Sequence, residues 1–216
     1  MITSRIFQNA RAAGWHYIAM ACALVCVAQP AAAWILTVTP GPKTIYLQVG
    51  TGSYTGGNYN VGGTPANNAT INKVSVTVAA PAVGTGAAQA MTSDSGTSIS
   101  FYDGYAVCNP PAQVYVGGWA RLPSGSGTAV LTVSTPANLT SGSNTIPFSE
   151  ISWTSTANGN TTPDVAAGTF NGGSVTLANI AAGSWVEDCH TFTYANTALR
   201  AAGTYTGRAT YSLSLP

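Results

Sequence analysis

Tyr205, Gly207, Ala209, Tyr211, Leu213 and Leu215 alternate with Thr206, Arg208, Thr210, Ser212 and Ser214, almost to the last residue. A side-chain period of two belongs to a β-strand, with one face apolar or small and the other polar. The run therefore predicts a strand from Tyr205 to Leu215 that packs Tyr205, Tyr211, Leu213 and Leu215 into a core. Thr206, Arg208 and Thr210 are expected to face outward.

The same alternation recurs in shorter segments between clusters of Gly, Ser, Asn and Pro. Thr44 to Val49, Val74 to Val78, Ile99 to Phe101, Gln113 to Val116 and Ala129 to Val133 are candidate strands. Ile151 to Trp153, Val175 to Leu177 and Thr191 to Tyr194 are further ones, which with the C-terminal run makes about nine. A helical period is confined to one possible turn at Thr197 to Ala202. Many short strands separated by turn signals predict an all-β, antiparallel sandwich. Gly50 to Asn68 holds six glycines and four asparagines, and reads as a surface loop or a hairpin tip. Thr154 to Pro163 reads the same way.

The first 33 residues read as a cleaved export signal. Arg5 and Arg11 precede an apolar run from Tyr17 to Val27, and Ala31-Ala32-Ala33 supplies small residues for cleavage before Trp34. The run is shorter than the ~20 residues of a membrane span. Ala23-Leu24-Val25 before Cys26 does not match a lipidation box. The predicted mature chain, residues 34–216, is a single domain with no transmembrane segment, secreted to a periplasm or cell surface.

Five Lys and Arg stand against six Asp and Glu in that mature chain, a net charge of −1. This leaves no basic footprint for nucleic acid and no polybasic patch for anionic lipid. Charged residues make up 6% of the sequence, so solubility rests on Thr, Ser, Asn and Gly. Cleavage also removes Cys22 and Cys26. The remaining pair, Cys108 and Cys189, is expected to form one disulfide in an exported chain.

Glu187-Asp188-Cys189-His190 is the densest polar cluster and holds the sole histidine of the mature chain. In a strand Asp188 and His190 would point to one face, and Glu187 and Cys189 to the other. The cluster is expected to be a polar turn flanking the disulfide rather than a metal or general-base site. There is no GxSxG elbow, no constellation demanding a cofactor, and few carboxylate pairs, so the expected role is non-enzymatic. Phe101-Tyr102-Asp103-Gly104-Tyr105 concentrates aromatics around an Asp-Gly step, a signal for a type I′ hairpin with packed neighbours. The alternative is an aromatic platform for a sugar ring, formed by Tyr102 and Tyr105 with Trp119 or Trp153. Asn68, Asn138 and Asn160 each begin an N-glycosylation sequon.

Gly203, fourteenth from the end and followed by the alternating run, resembles the final strand of chaperone–usher pilus subunits. The whole chain also resembles secreted proteins of Gram-negative bacteria. The resemblance implies an immunoglobulin-like sandwich lacking one strand, completed by the N-terminal extension of a neighbouring subunit or by a periplasmic chaperone. Trp34, Leu36 and Val38 alternate and would be the donor segment, which ends at Pro40-Gly41-Pro42. The chain differs from the pilin pattern in its penultimate Leu215, where an aromatic is usual, and in its mid-chain and late cysteines. Two functions are thus expected: a surface or structural subunit assembling by strand pairing, or a carbohydrate-binding adhesive module.

Overall fold

The computed structural model describes residues 44–56, 72–122, 126–157 and 162–215, all within the unit Thr39–Pro216. The predicted export signal and the segment carrying Trp34, Leu36 and Val38 lie outside the described residues, as do Asn68 and Asn160. The described chain is all-β, antiparallel throughout, with two 3-10 turns at Ala80–Ala82 and Phe148–Glu150.

Fourteen strands are described, against the nine expected. They are β1 (Thr44–Val49), β2 (Gly52–Gly56), β3 (Val74–Ser75), β4 (Gln89–Ala90), β5 (Thr92–Ser93), β6 (Val114–Arg121) and β7 (Thr128–Ser134). Then follow β8 (Asn138–Ser141), β9 (Asn144–Pro147), β10 (Ile151–Ala157), β11 (Gly168–Thr169), β12 (Ser174–Ala181), β13 (Trp185–Tyr194) and β14 (Thr210–Ser214). The larger sheet runs β11-β10-β13-β6-β1-β2, with β4 paired to β13. The smaller sheet runs β12-β7-β14. The β8–β9 hairpin and the two-stranded β3–β5 pair complete the set.

Alternation decides which face of each strand is buried. Val114, Val116 and Ala120 of β6, with Phe192 of β13 and Trp153 of β10, make up the larger sheet's inner face. Ala129, Leu131 and Val133 of β7, Ile180 of β12 and Leu213 of β14 belong to the same core. Gly118 lets the layers close: a Cβ there would stand 3.2 Å from Ile180 Cδ1. The register slips between Thr176 and Ala178 of β12, which places Leu177 and Ala178 both in the core.

Several expectations need correction. The C-terminal strand begins at Thr210, not Tyr205. Its partner β7 reaches Ser134, opposite Thr210, and Pro136 follows two residues later. Proline has no N–H for a ladder and the chain turns away, so residues 205–209 have no β7 strand to pair with. Thr206 instead makes a single bridge to Thr140, with both N–H···O distances at 2.9 Å. Tyr205 is half-buried, and its hydroxyl donates to the Ala201 carbonyl. Thr206 and Arg208 are exposed as expected, while Leu213 and Leu215 are buried. Gly203 lies against the β8 Ser141, where a Cβ would meet Oγ at 2.5 Å.

Ile99 to Phe101 is not a strand; Ile99 makes one bridge to Ala106. No helical turn forms at Thr197 to Ala202. Part of Gly50 to Asn68 is strand, because the β1–β2 turn at Gly50 (φ 58°) leads directly into β2. Thr154 to Ala157 continues β10 rather than opening a loop.

Candidate functional site

The larger sheet has two faces, and β13 shows both. Its alternation aims Asp188, His190 and Phe192 at the core and Trp185, Glu187 and Cys189 at the outer face. The polar cluster is therefore not a turn but the middle of the longest strand described, with Glu187 to His190 all buried. What buries the outer residues is the connection between β5 and β6, residues 94–113, which crosses this face.

A disulfide anchors the connection. Cys108 bonds Cys189 with their Cα atoms 5.5 Å apart, closing a loop of 81 residues. Glu187 is the second anchor, and one oxygen takes three donors. Its Oε2 accepts from Tyr115 Oη at 2.6 Å, Ser100 Oγ at 2.7 Å and Trp185 Nε1 at 2.8 Å. These groups come from β6, the crossing connection and β13, so one carboxylate ties them together. Hydrogen bonds to an ionised acceptor are roughly twice as strong as neutral ones. Burial, and then the bond to Glu187, hold the Tyr115 phenol far above its ordinary pKa. Burial and the Glu187 charge push Tyr46 up to about 12. Tyr115 lies flat along the sheet because Gly117 leaves room, a Cβ there falling 2.5 Å from the Tyr115 hydroxyl.

Aromatic rings cover this anchor. Tyr46 of β1, Trp119 of β6 and Trp185 of β13 stand in one cross-strand row. Tyr46 and Trp185 stack with centroids 5.1 Å apart. Phe101 stacks on Tyr46 at 4.7 Å and 18°, and Tyr102 on Trp185 at 5.3 Å and 23°. Phe101 and Trp185 are 6.2 Å apart at 20°, so the rings are all nearly parallel. Such stacked pairs contribute ~0.5–1.5 kcal/mol each beyond their burial.

The Asp103-Gly104 turn is not the expected two-residue hairpin. Only Gly104 takes a positive φ, 77°, and its N–H reaches back to the Ser100 carbonyl at 3.1 Å. Asp103 Oδ1 accepts the Tyr105 N–H, and Ser100 N–H donates to the Tyr105 carbonyl. The neighbours are not packed away: Phe101 is 68%, Tyr102 69% and Tyr105 72% exposed. Trp119 is half-buried in the ring row, whereas Trp153 is in the core. Of the named platform residues Tyr102 joins the stack, on Trp185, while Trp119 is placed beside Trp185 as its cross-strand partner. Tyr46, Phe101 and Trp185 complete the stack and were not named for it. A signal for them existed, since Cys189 shares a strand face with Trp185 and Glu187, and Cys108 lies six residues after Tyr102.

His190 faces the other way. It is fully buried, its ring stacked 5.8 Å from Trp153, and both ring nitrogens lack a hydrogen-bond partner among the described residues. Burial lowers its pKa to about 3, so it is neutral. Asp188, on the same face, accepts the Val165 N–H. Among the described residues no group of three His, Cys, Asp or Glu is placed to hold a metal ion, and no helix is long and apolar enough to cross a membrane. Asn138 is exposed at the start of β8.

A second feature lies between the sheets. The smaller sheet has three strands and does not cover the full width of the larger one. Beyond β14 a groove of about 730 Å³ opens over Ile45, Leu47 and Val49 of β1, with Phe148, Tyr211 and Leu213 among its walls. Among the described residues β14 pairs with β7 alone, so its other edge borders the groove. No protein-family model matches this chain, and no curated protein or solved structure matches it either.

Proposed function

We propose that this chain is an exported, non-enzymatic surface or structural subunit that assembles by β-strand addition at β14. The observation that carries the reading is the apolar groove beside a strand that, among the described residues, is paired on one edge only. An unpaired edge is a template for another strand. A strand added to β14 would place alternate side chains on Ile45, Leu47 and Val49 and pair with the edge that borders the groove. The groove takes apolar side chains at every second position, and Trp34, Leu36 and Val38 have that spacing. Six residues from Trp34 to Thr39 extend ~20 Å at ~3.3 Å per residue, and the five of β14 extend ~17 Å, so the two segments match in length. The donor is this segment of a neighbouring copy, with a periplasmic chaperone strand as the partner before assembly. The Cys108–Cys189 bond accords with such an oxidising compartment.

The test compares the mature chain with a form lacking residues 34–39, by light scattering and thermal melting across a concentration series. The full form is expected to associate and to melt higher as concentration rises. The truncated form is expected to stay monomeric, melt lower, and recover stability on adding a synthetic Trp34–Thr39 peptide. Two equally stable monomers, indifferent to the peptide, would overturn the reading.

A further inference from the structure

Five large apolar side chains stand exposed among the described residues, and four of them fall within seven consecutive positions: Ile99, Phe101, Tyr102 and Tyr105. The fifth is Leu199. Scattered exposed apolar residues need no explanation, but a concentrated patch marks an interaction site. This patch is also held in place. Cys108 is bonded to Cys189, Ser100 to Glu187, Thr97 Oγ1 to the Gly50 carbonyl at 2.8 Å, and Val107 N–H to the Ser98 carbonyl at 2.8 Å. The ties stabilise the fold in their own right, and they also hold the exposed rings preorganised, so a ligand would bind them with less ordering cost.

We infer that the outer-face connection from Ser95 to Pro111 is a binding site for an uncharged glycan, with Phe101 and Tyr102 as the stacking surface. Three observations select this ligand class. The rings are nearly parallel, offering flat faces to the C–H face of a pyranose. Beside Phe101 lies a cleft of about 530 Å³ lined by Gln48, Gly96, Thr97, Ser98, Ile99 and Ser100. With Ser100 Oγ buried on Glu187 and Thr97 Oγ1 bonded to Gly50, Ser98 and Gln48 are the lining residues left to meet sugar hydroxyls. Between Ser95 and Pro111 the single charged side chain is Asp103 and there is no cation, so this stretch offers no partner for a phosphate or carboxylate. Glu187 acts as a positioning residue. It fixes the indole of Trp185 beneath Tyr102 and the hydroxyl of Ser100 beside Phe101, without itself reaching the ligand. The site lies on the outer face of the larger sheet, whereas the strand-addition groove lies on its inner face, so one subunit can assemble and bind at once.

The experiment titrates the mature chain with cellohexaose, chitohexaose and galactohexaose, following tryptophan emission and calorimetric heat. Saturable binding of at least one sugar is expected, with a change in Trp185 emission. The double variant Phe101→Ser/Tyr102→Ser is expected to bind at least tenfold more weakly while remaining fully folded at the assay temperature, as its far-UV circular dichroism and cooperative melt report. Leu199→Ser, and the form lacking residues 34–39, are expected to bind as the parent does. No saturable binding to any of the three sugars, or equal binding by the parent and the double variant, would overturn the assignment. So would partition into phosphatidylcholine vesicles that needs Phe101 and Tyr102 in the absence of sugar binding, since the patch would then be a membrane contact.

Discussion

Glu187 and His190 are three residues apart on one strand, both buried, yet their surroundings are opposites. Glu187 on the outer face receives three hydrogen bonds on one oxygen, while His190 on the inner face has no hydrogen-bond partner among the described residues and is packed between aromatic rings. Burial of a charge is tolerated only with partners, whereas burial of an imidazole is tolerated by leaving it neutral. The outer face is thus a polar, cross-linked anchor under an aromatic surface, and the inner face an ordinary core that has absorbed one titratable ring. The difference teaches where chemistry can happen in this fold. It lies on the face that the β5–β6 connection covers, not on the face where the histidine sits.

The largest effect should come from cutting the outer anchor at its covalent tie. Cys108→Ser/Cys189→Ser frees an 81-residue loop from its constraint, and is expected to cost ~4 kcal/mol, a fall of ~8–16 °C in Tm. Tryptophan emission should red-shift as the connection lifts from Trp185. A melt unchanged within two degrees would mean the disulfide adds nothing to the outer anchor. Next comes Glu187→Ala, which strands the donors of Tyr115, Ser100 and Trp185, at a cost on the order of 3 kcal/mol in urea unfolding. Glu187→Gln keeps an acceptor and should recover about half of that loss. If Ala and Gln cost the same, size rather than hydrogen bonding is what position 187 supplies.

The strands that packing dictates were the legible part of the fold. Thr44 to Val49 was readable to the residue, and the longer β6, β7, β10, β12 and β13 were found with their ends short. Alternation registers there because one face is buried, and it fades where a strand is covered on both sides, as at Glu187 to His190. Val74 to Val78 alternates, but only Val74–Ser75 pairs, as β3, while the two-residue strands β4, β5 and β11 have no period to read. The start of β14 was set by Pro136, 74 residues upstream of Thr210, a long-range cause that no local pattern carries. At the site, the disulfide and the aromatic loop were legible from residue types and spacing. The stack of Phe101 and Tyr102 on Tyr46 and Trp185 was not, because it depends on which sheet face the connection crosses. Glu187 was misread as part of a turn for the same reason: its cover comes from residues almost ninety positions earlier.

The smallest effect belongs to the inner face and separates the two environments by pH. The folded pKa of His190 is about 3, below the ~6.5 of an unfolded histidine. Between those values the unfolded chain binds a proton at this position and the folded chain does not. Stability is therefore fully present above pH ~6.5 and lost as pH falls toward 3, with a limiting slope of ~1.4 kcal/mol per pH unit. His190→Phe removes that slope and keeps a ring against Trp153. At pH 7 the variant is expected to lie within ~1 kcal/mol of the parent, because an unpartnered buried polar group is lost rather than a hydrogen bond. Between pH 6 and pH 4.5 the parent should lose ~2 kcal/mol more than the variant in urea unfolding. The carboxylates, Asp188 on the same face included, are common to both chains and largely cancel in that difference. Parallel pH profiles for parent and variant would show that His190 accepts its proton in the folded state, and the inner face would then no longer differ from the outer one in how it handles charge.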